Sequence, residues 1–362
     1  MPIPHWPLSR RGLLAGIAAA ATVSTGPARA IAQDVRPGED SVTTLTDAPP
    51  EPMFDTHAHI ISGDPAAYPP SEAGRARPIE AYRAEDLLAD MTATGVTAAC
   101  AVQRFHHYGN DNSYGLDSAR AHPDRLLPVI MIDALAPDAP ARLRDLARRQ
   151  PIGGLRFANP TRQLLDTSWM MAPPVMALWE VAAELALPVA IIFFESQLAY
   201  NLPALGFVAE MFPTLPIVID HLGVPCGPTG YLRFLNDGKP MPSPGPPDYA
   251  IPQALKDLRR LRNIHFKLTG INLEYLDHYQ VDTAAFMRRF TDEFGSSRIM
   301  CGTDIGQTKG PYARIVTALR QSLAQLDDTE RADILFNTAD TLYGAKRARP
   351  SVAPKSDAAT NI

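Results

Sequence analysis

Three cysteines in 362 residues leave this chain without a disulfide framework. Cys100, Cys226 and Cys301 are odd in number with no paired spacing, so they read as small buried hydrophobes. Basic charge is also short: 34 Lys and Arg stand against 39 Asp and Glu, a formal charge of −5. No basic stripe appears, which excludes nucleic acid as a natural partner. A bilayer span is missing too, because the Ala-rich stretch from Leu13 to Val23 is too short to serve as a stable membrane anchor.

That stretch fits an export signal instead. Ser9-Arg10-Arg11-Gly12-Leu13-Leu14 has the twin-arginine form, and Ala28-Arg29-Ala30 offers a small-x-small cleavage site. Residues 1–30 are therefore expected to be a twin-arginine-type signal peptide that sends a folded protein to the periplasm. Its removal takes away three arginines and no acid, leaving a charge of −8. Residues 31–50, aperiodic and rich in Asp, Thr, Pro and Ala, read as a linker, and 346–362 as a flexible tail. Residues 51–345 remain for one large domain.

Within that domain short apolar runs alternate with amphipathic stretches. After the first strand around Met53 to Thr56, strands are expected at Thr97 to Gln103, Leu127 to Ile132, Gly153 to Phe157, Pro188 to Phe193, Pro216 to Asp220, Ile264 to Leu268 and Ile299 to Gly302. Helices fall between them, at Ala84 to Thr94, Asp111 to His122, Ala141 to Gln150, Val175 to Leu185, Leu202 to Met211, Gln253 to Leu261, Ala284 to Phe294 and Tyr312 to Leu323. Strands apolar on both faces, each followed by a helix, call for a parallel sheet, and eight such units predict an α/β fold of the (β/α)8 TIM barrel type. A doubly wound open sheet is the runner-up. The longest connection, Leu222 to about Ile251, is rich in proline and reads as a stiff lid or an oligomer contact, so a homo-oligomer stays open.

Chemistry gathers at the strand ends. In His57-Ala58-His59 two imidazoles lie two residues apart on a strand, hence on one side, and the same alternation places Asp55 below them. His221 and Asp304 end the sixth and eighth strands, and in a barrel all those ends open onto one mouth. Arg156 ends the fourth strand between apolar neighbours, with Arg162 six residues on; Arg162 has a plain surface reading as well. Arginine pairs in bidentate fashion with planar anions, which suits both to a substrate acid. Lys267 ends the seventh strand, where it would pair with a buried acid or attract an anionic substrate.

These motifs resemble the amidohydrolase superfamily, and within it the amidohydrolase-related branch that includes 2-pyrone-4,6-dicarboxylate lactonase. The resemblance runs through Phe54-Asp55-Thr56-His57-Ala58-His59, Val102-Gln103 with Gly109-Asn110-Asp111-Asn112, Gly153-Gly154-Leu155-Arg156-Phe157, Asp220-His221-Leu222-Gly223, Gly302-Thr303-Asp304 and Asn337-Thr338-Ala339-Asp340-Thr341-Leu342-Tyr343-Gly344. It implies that His57, His59 and His221 surround a substrate carbonyl, that Asp304 handles the proton of an attacking water, and that Arg156 and Arg162 grip a carboxylate. Gln103 and Gln307 join Arg156, Arg162 and Lys267 as the expected substrate-binding set.

Two departures matter. Metal-dependent members of the superfamily carry a histidine at the end of the fifth strand, where this chain reads Ile191-Ile192-Phe193-Phe194-Glu195-Ser196. No cofactor is therefore taken as obligatory; zinc is the alternative, held by His57, His59 and Asp304 with Glu195 as a further carboxylate. Val224 stands where the pyrone lactonases carry an arginine, and Gln307 where they carry a small amide, so another substrate is expected.

The function expected is hydrolysis of a small carboxylate- or sulfonate-bearing lactone, an anionic cyclic ester, by water attack on the ring carbonyl, a chemistry the resemblance links to aromatic compound catabolism. A metal-dependent decarboxylase of an aromatic or muconate-like acid, a lactone isomerase and an exported small-acid binding protein are the alternatives.

Overall fold

The computed structural model describes residues 51–158, 160, 166–193, 198–223 and 245–347. The export signal and linker, Arg162, Glu195, Val224, Cys226, most of the proline-rich connection and the tail from 348 onward lie outside the described residues.

Eight strands form one sheet in chain order: β1 (Met53–Ala58), β2 (Val96–Val102), β3 (Leu126–Ile130), β4 (Gly154–Phe157), β5 (Val189–Ile191), β6 (Ile217–Ile219), β7 (Ile264–Thr269) and β8 (Ile299–Gly302). Each pairs in parallel with the next. Between β8 and β1 the seam is held by fewer bonds, set just past the strand ends. The Asp304 N–H donates to the His57 carbonyl at 2.6 Å, the His59 N–H to the Ile305 carbonyl at 3.2 Å, and the Thr56 hydroxyl to the Cys301 carbonyl at 2.8 Å. The barrel thus draws together along the residues singled out for chemistry, and the open doubly wound sheet is excluded.

Helices follow the strands as the periodicity requires, among them Ala84–Thr94, Ser113–Ala121, Pro173–Glu184, Thr283–Phe294 and Tyr312–Gln321. Their apolar faces bury Leu87, Met91, Leu178, Trp179, Phe286, Phe290, Ile315 and Leu319 against the outside of the sheet. A smaller cluster of Phe54, Ala98, Cys100, Val102, Val129, Val218 and Met300 packs with Tyr343 of the last helix, Thr338–Tyr343. Burial pushes the Cys100 thiol up to about 12 and raises that of Cys301, as inert buried thiols require.

Among the helices that go beyond the sequence pattern, one bears on the site. Gly270–His278 follows β7 directly, entered through Thr269, whose N–H donates to Asn272 Oδ1 at 3.0 Å. A glycine at the first position hides such a start. Here it is required, since a Cβ on Gly270 would lie 2.5 Å from the Thr303 carbonyl oxygen.

Candidate active site

His57 and His59 close β1, His221 follows β6 and Asp304 follows β8, and all four side chains are buried. His57 Nε2 lies 3.6 Å and His59 Nε2 3.3 Å from Asp304 Oδ1. The ring of His221 stands 5.3 Å, centroid to centroid, from that of His57. Residues far apart in sequence thus meet at one end of the barrel.

Backbone geometry makes this meeting feasible. Asp304, His221 and Leu222 have φ of 53°, 56° and 58°, the left-handed region that non-glycine residues rarely occupy. Strain of this kind persists where the surroundings fix it, and functional sites are its usual home. At Asp304 the backbone is held by the bond to His57, and the Gln307 and Thr308 N–H groups donate to its carbonyl at 3.0 and 2.8 Å. Gly302 permits the approach of β8, because a Cβ there would sit 2.6 Å from that of His57.

Asp55 does not join the site. The register of β1 against β2 shifts between Asp55 and Ala58, so strict alternation fails there. Its carboxylate accepts instead from the His57 and Thr303 N–H groups at 3.1 and 2.9 Å and from the Thr303 and Tyr312 hydroxyls at 2.6 and 3.0 Å. It is a clamp that positions the Thr303-Asp304 turn.

The imidazole tautomers follow from their neighbours. His59 Nδ1 lies 2.8 Å from the Val102 carbonyl, which can only accept, so Nδ1 carries the proton and Nε2 a lone pair. His221 Nδ1 lies 2.7 Å from the Thr269 hydroxyl, which donates onward to Asn272 Oδ1 at 3.1 Å. That chain assigns the His221 proton to Nδ1. Burial lowers His57 to about 3 and lowers His59 and His221 as well, so all three rings are neutral. Burial opposes the charge on Asp304, while a proton shared with the neighbouring imidazoles favours it and holds the carboxyl below the usual range.

Behind His57 stands Asp220, which the sequence reading did not single out. Its carboxylate accepts from Arg156 Nε at 2.8 Å, faces Lys267 Nζ at 3.3 Å and lies 3.5 Å from His57 Nδ1. Burial alone would raise Asp220; Lys267 and Arg156 hold it well below the carboxylate range. Facing that charge, His57 keeps its proton on Nδ1 and turns the Nε2 lone pair toward Asp304.

The other expected substrate groups are placed differently. Gln103 is buried, its amide donating to the Gly109 and Asp111 carbonyls at 2.8 and 2.7 Å, so it braces the loop after β2. Gln307 is exposed. Arg156 and Lys267 meet on Asp220, and Arg162 and Glu195 fall outside the described residues.

Two neutral imidazole lone pairs and a carboxylate facing one another repel unless a cation or a proton lies among them. One ligand atom from each of His57, His59 and Asp304 falls within 4.8 Å of the others. Among the described residues neither Asp304 oxygen has a hydrogen-bond partner, nor does either His57 nitrogen. Two histidines and one carboxylate around an open position are a common catalytic zinc arrangement, so these residues fit a divalent metal.

An amidohydrolase family model matches residues 54–345. The chain belongs to the amidohydrolase family. The resemblance drawn from the motifs is thereby borne out. Among curated proteins, the L-fucono-1,5-lactonase of Burkholderia ambifaria is 29% identical over 221 residues, 61% of this chain and 68% of the relative. Among solved structures, a probable 2-pyrone-4,6-dicarboxylic acid hydrolase from Acinetobacter baumannii with citric acid bound superposes with a TM-score of 0.61 at 20% identity, covering 81% of this chain and 99% of that one. A Burkholderia multivorans amidohydrolase with bound zinc gives 0.57 at 21% identity, covering 81% and 99%. At these identities the structures support the fold alone, a (β/α)8 barrel.

Proposed function

We propose that this amidohydrolase is a lactonase acting on a small cyclic ester that bears a carboxylate or sulfonate. The observation that carries the reading is the convergence of Asp304 with two imidazole lone pairs at the barrel mouth, and the L-fucono-1,5-lactonase relative supports a ring ester as the substrate.

Asp304, ionised and with no hydrogen-bond partner among the described residues, takes a proton from the attacking water, and proton transfer by such a positioned base contributes about 10²–10⁴ in rate. His221, its Nδ1 proton committed to Thr269, can take that proton from Asp304 at Nε2 and pass it to the departing ring oxygen, which leaves both groups as they began. The same tautomers turn the balance from metal-free toward metal-assisted chemistry, because neutral rings with Nδ1 engaged have no N–H left to give an oxyanion. His57, His59 and Asp304 would hold the ion; zinc is the choice that suits two nitrogens and one oxygen. When bound, it would polarise the ester carbonyl and make water more acidic. Arg156 spends Nε on Asp220, leaving its terminal amino groups for a substrate acid.

The test is a panel of acidic lactones followed by loss of ring absorbance, run in oxygen-18 water on protein of known metal content. One labelled oxygen in the ring-opened acid, activity lost on chelation and restored by zinc are the expected results. Carbon dioxide release from a related acid would replace the reading with the decarboxylase, and product without label with the isomerase. The proposal extends to the compartment: periplasmic protein should begin just after Ala30, and N-terminal sequencing checks it.

A further inference from the structure

Arg104, directly after Gln103, plays no part in the chemistry described so far. Its Nη2 donates to the Gly306 carbonyl at 3.2 Å, two residues beyond Asp304. Gly306 in turn packs on His59, since a Cβ added there would lie 3.3 Å from the His59 Cβ. The guanidinium is thereby tied to the rim of the site next to His59 and Asp304. Its Nε is buried without a hydrogen-bond partner among the described residues. His107 follows three residues later on the helical turn Phe105–Tyr108, its N–H donating to the Arg104 carbonyl at 2.9 Å. His107 is 5% exposed, its ring packed edge-on against Tyr108 at 4.5 Å, and its Nδ1 is also buried without a partner among the described residues.

A buried N–H left unbonded is costly, and a guanidinium more so. Arg104 is the N-cap of the short turn that carries His107, so the two residues lie on one short segment beside the rim. We propose that Arg104 and His107 form the subsite that recognises the carboxylate of the substrate, with the guanidinium supplying charge and His107 a neutral hydrogen bond. This deepens the lactonase reading and rests on it. It also relieves Arg156 of sole charge of the acid.

The experiment compares kcat/KM for an acidic lactone and for its methyl ester in wild type, R104M and R104K. In R104M the acid-to-ester ratio should fall by about tenfold or more, the loss expected for a charge-assisted bond, with the change in KM rather than kcat. R104K keeps the charge and loses the fork, so it should fall in between. A ratio in R104M within about twofold of wild type overturns the subsite. Calorimetric titration with glutarate gives a second readout independent of turnover: the dissociation constant should rise by about tenfold in R104M. If wild type opens no lactone, the hydrolase reading falls while the glutarate titration still decides the subsite; equal affinity in R104M, or no binding to wild type, overturns it.

Discussion

Replacing Asp220 with Asn removes one negative charge from a place where two positive ones depend on it. The Lys267 and Asp220 side chains are fully buried and that of Arg156 is 7% exposed, so water cannot take over the role of the carboxylate. Removing one member of a buried ion pair costs about 3–5 kcal/mol, because the partner's charge stays behind unpaired. The amide oxygen of Asn can still accept from Arg156 Nε, which places the expected loss near the lower end, about 3 kcal/mol. Lys267→Met is a gentler change, since Asp220 keeps Arg156 and His57, and D220N/K267M together should cost less than the two changes summed. A coupling of about 1–3 kcal/mol is expected from groups in direct contact. Urea unfolding at pH 7, followed by circular dichroism, measures all four states of the cycle. D220N should also weaken metal binding by about 10–100-fold, because the group that orients His57 has lost its charge. A D220N protein within about 1 kcal/mol of wild type, or strictly additive substitutions, would refute the claim that Asp220 neutralises this cluster.

Three further outcomes follow from the geometry. Asp304→Asn should lower kcat by about 10²-fold or more and reduce bound zinc, checked by steady-state kinetics beside elemental analysis. His265 is lowered by burial to about 4, against 6.5 when unfolded. The unfolded chain therefore binds its proton first, and stability present above pH 6.5 is lost as pH falls toward 4, by about 3 kcal/mol in all. His265→Leu should flatten that acid limb, and parallel curves for the two proteins would count against it. Gly302→Ala would press a Cβ to within 2.7 Å of the His57 backbone nitrogen, so a loss of about 1–3 kcal/mol is expected with a drop in zinc affinity, read by thermal unfolding with and without the metal.

The barrel was legible because its determinants are local and repeated. Eight apolar runs, each followed by an amphipathic stretch, leave little choice of architecture, and every strand expected from them is present in chain order. The convergence of His57, His59, His221 and Asp304 was legible for a related reason, since strand ends in such a barrel share one mouth. What alternation could not show is where it breaks. Asp55 was placed beneath the histidines by counting in twos, but the register shift after it sends its carboxylate to Thr303 and Tyr312. The same rule would put Asp220 and His221 on opposite faces, whereas the left-handed turn at His221 and Leu222 lets both reach the interior.

Asp220 shows what charge accounting adds to periodicity. Arg156 and Lys267 lie on β4 and β7, and neither can be buried without an acid. The sequence offers Asp220 at the end of β6, between β5 and β7 in the sheet, close enough for both. That reading was available in principle, but the presence of His221 beside it left Asp220 unnoticed. The structure assigns the two neighbours separate tasks: His221 offers its ring to the site, while Asp220 sets the tautomer of His57 from behind. Specificity follows the same division, for with Lys267 and the Arg156 Nε committed to Asp220, the acid of a substrate is left to the terminal groups of Arg156 and to the rim, where Arg104 is tied next to the Asp304 turn.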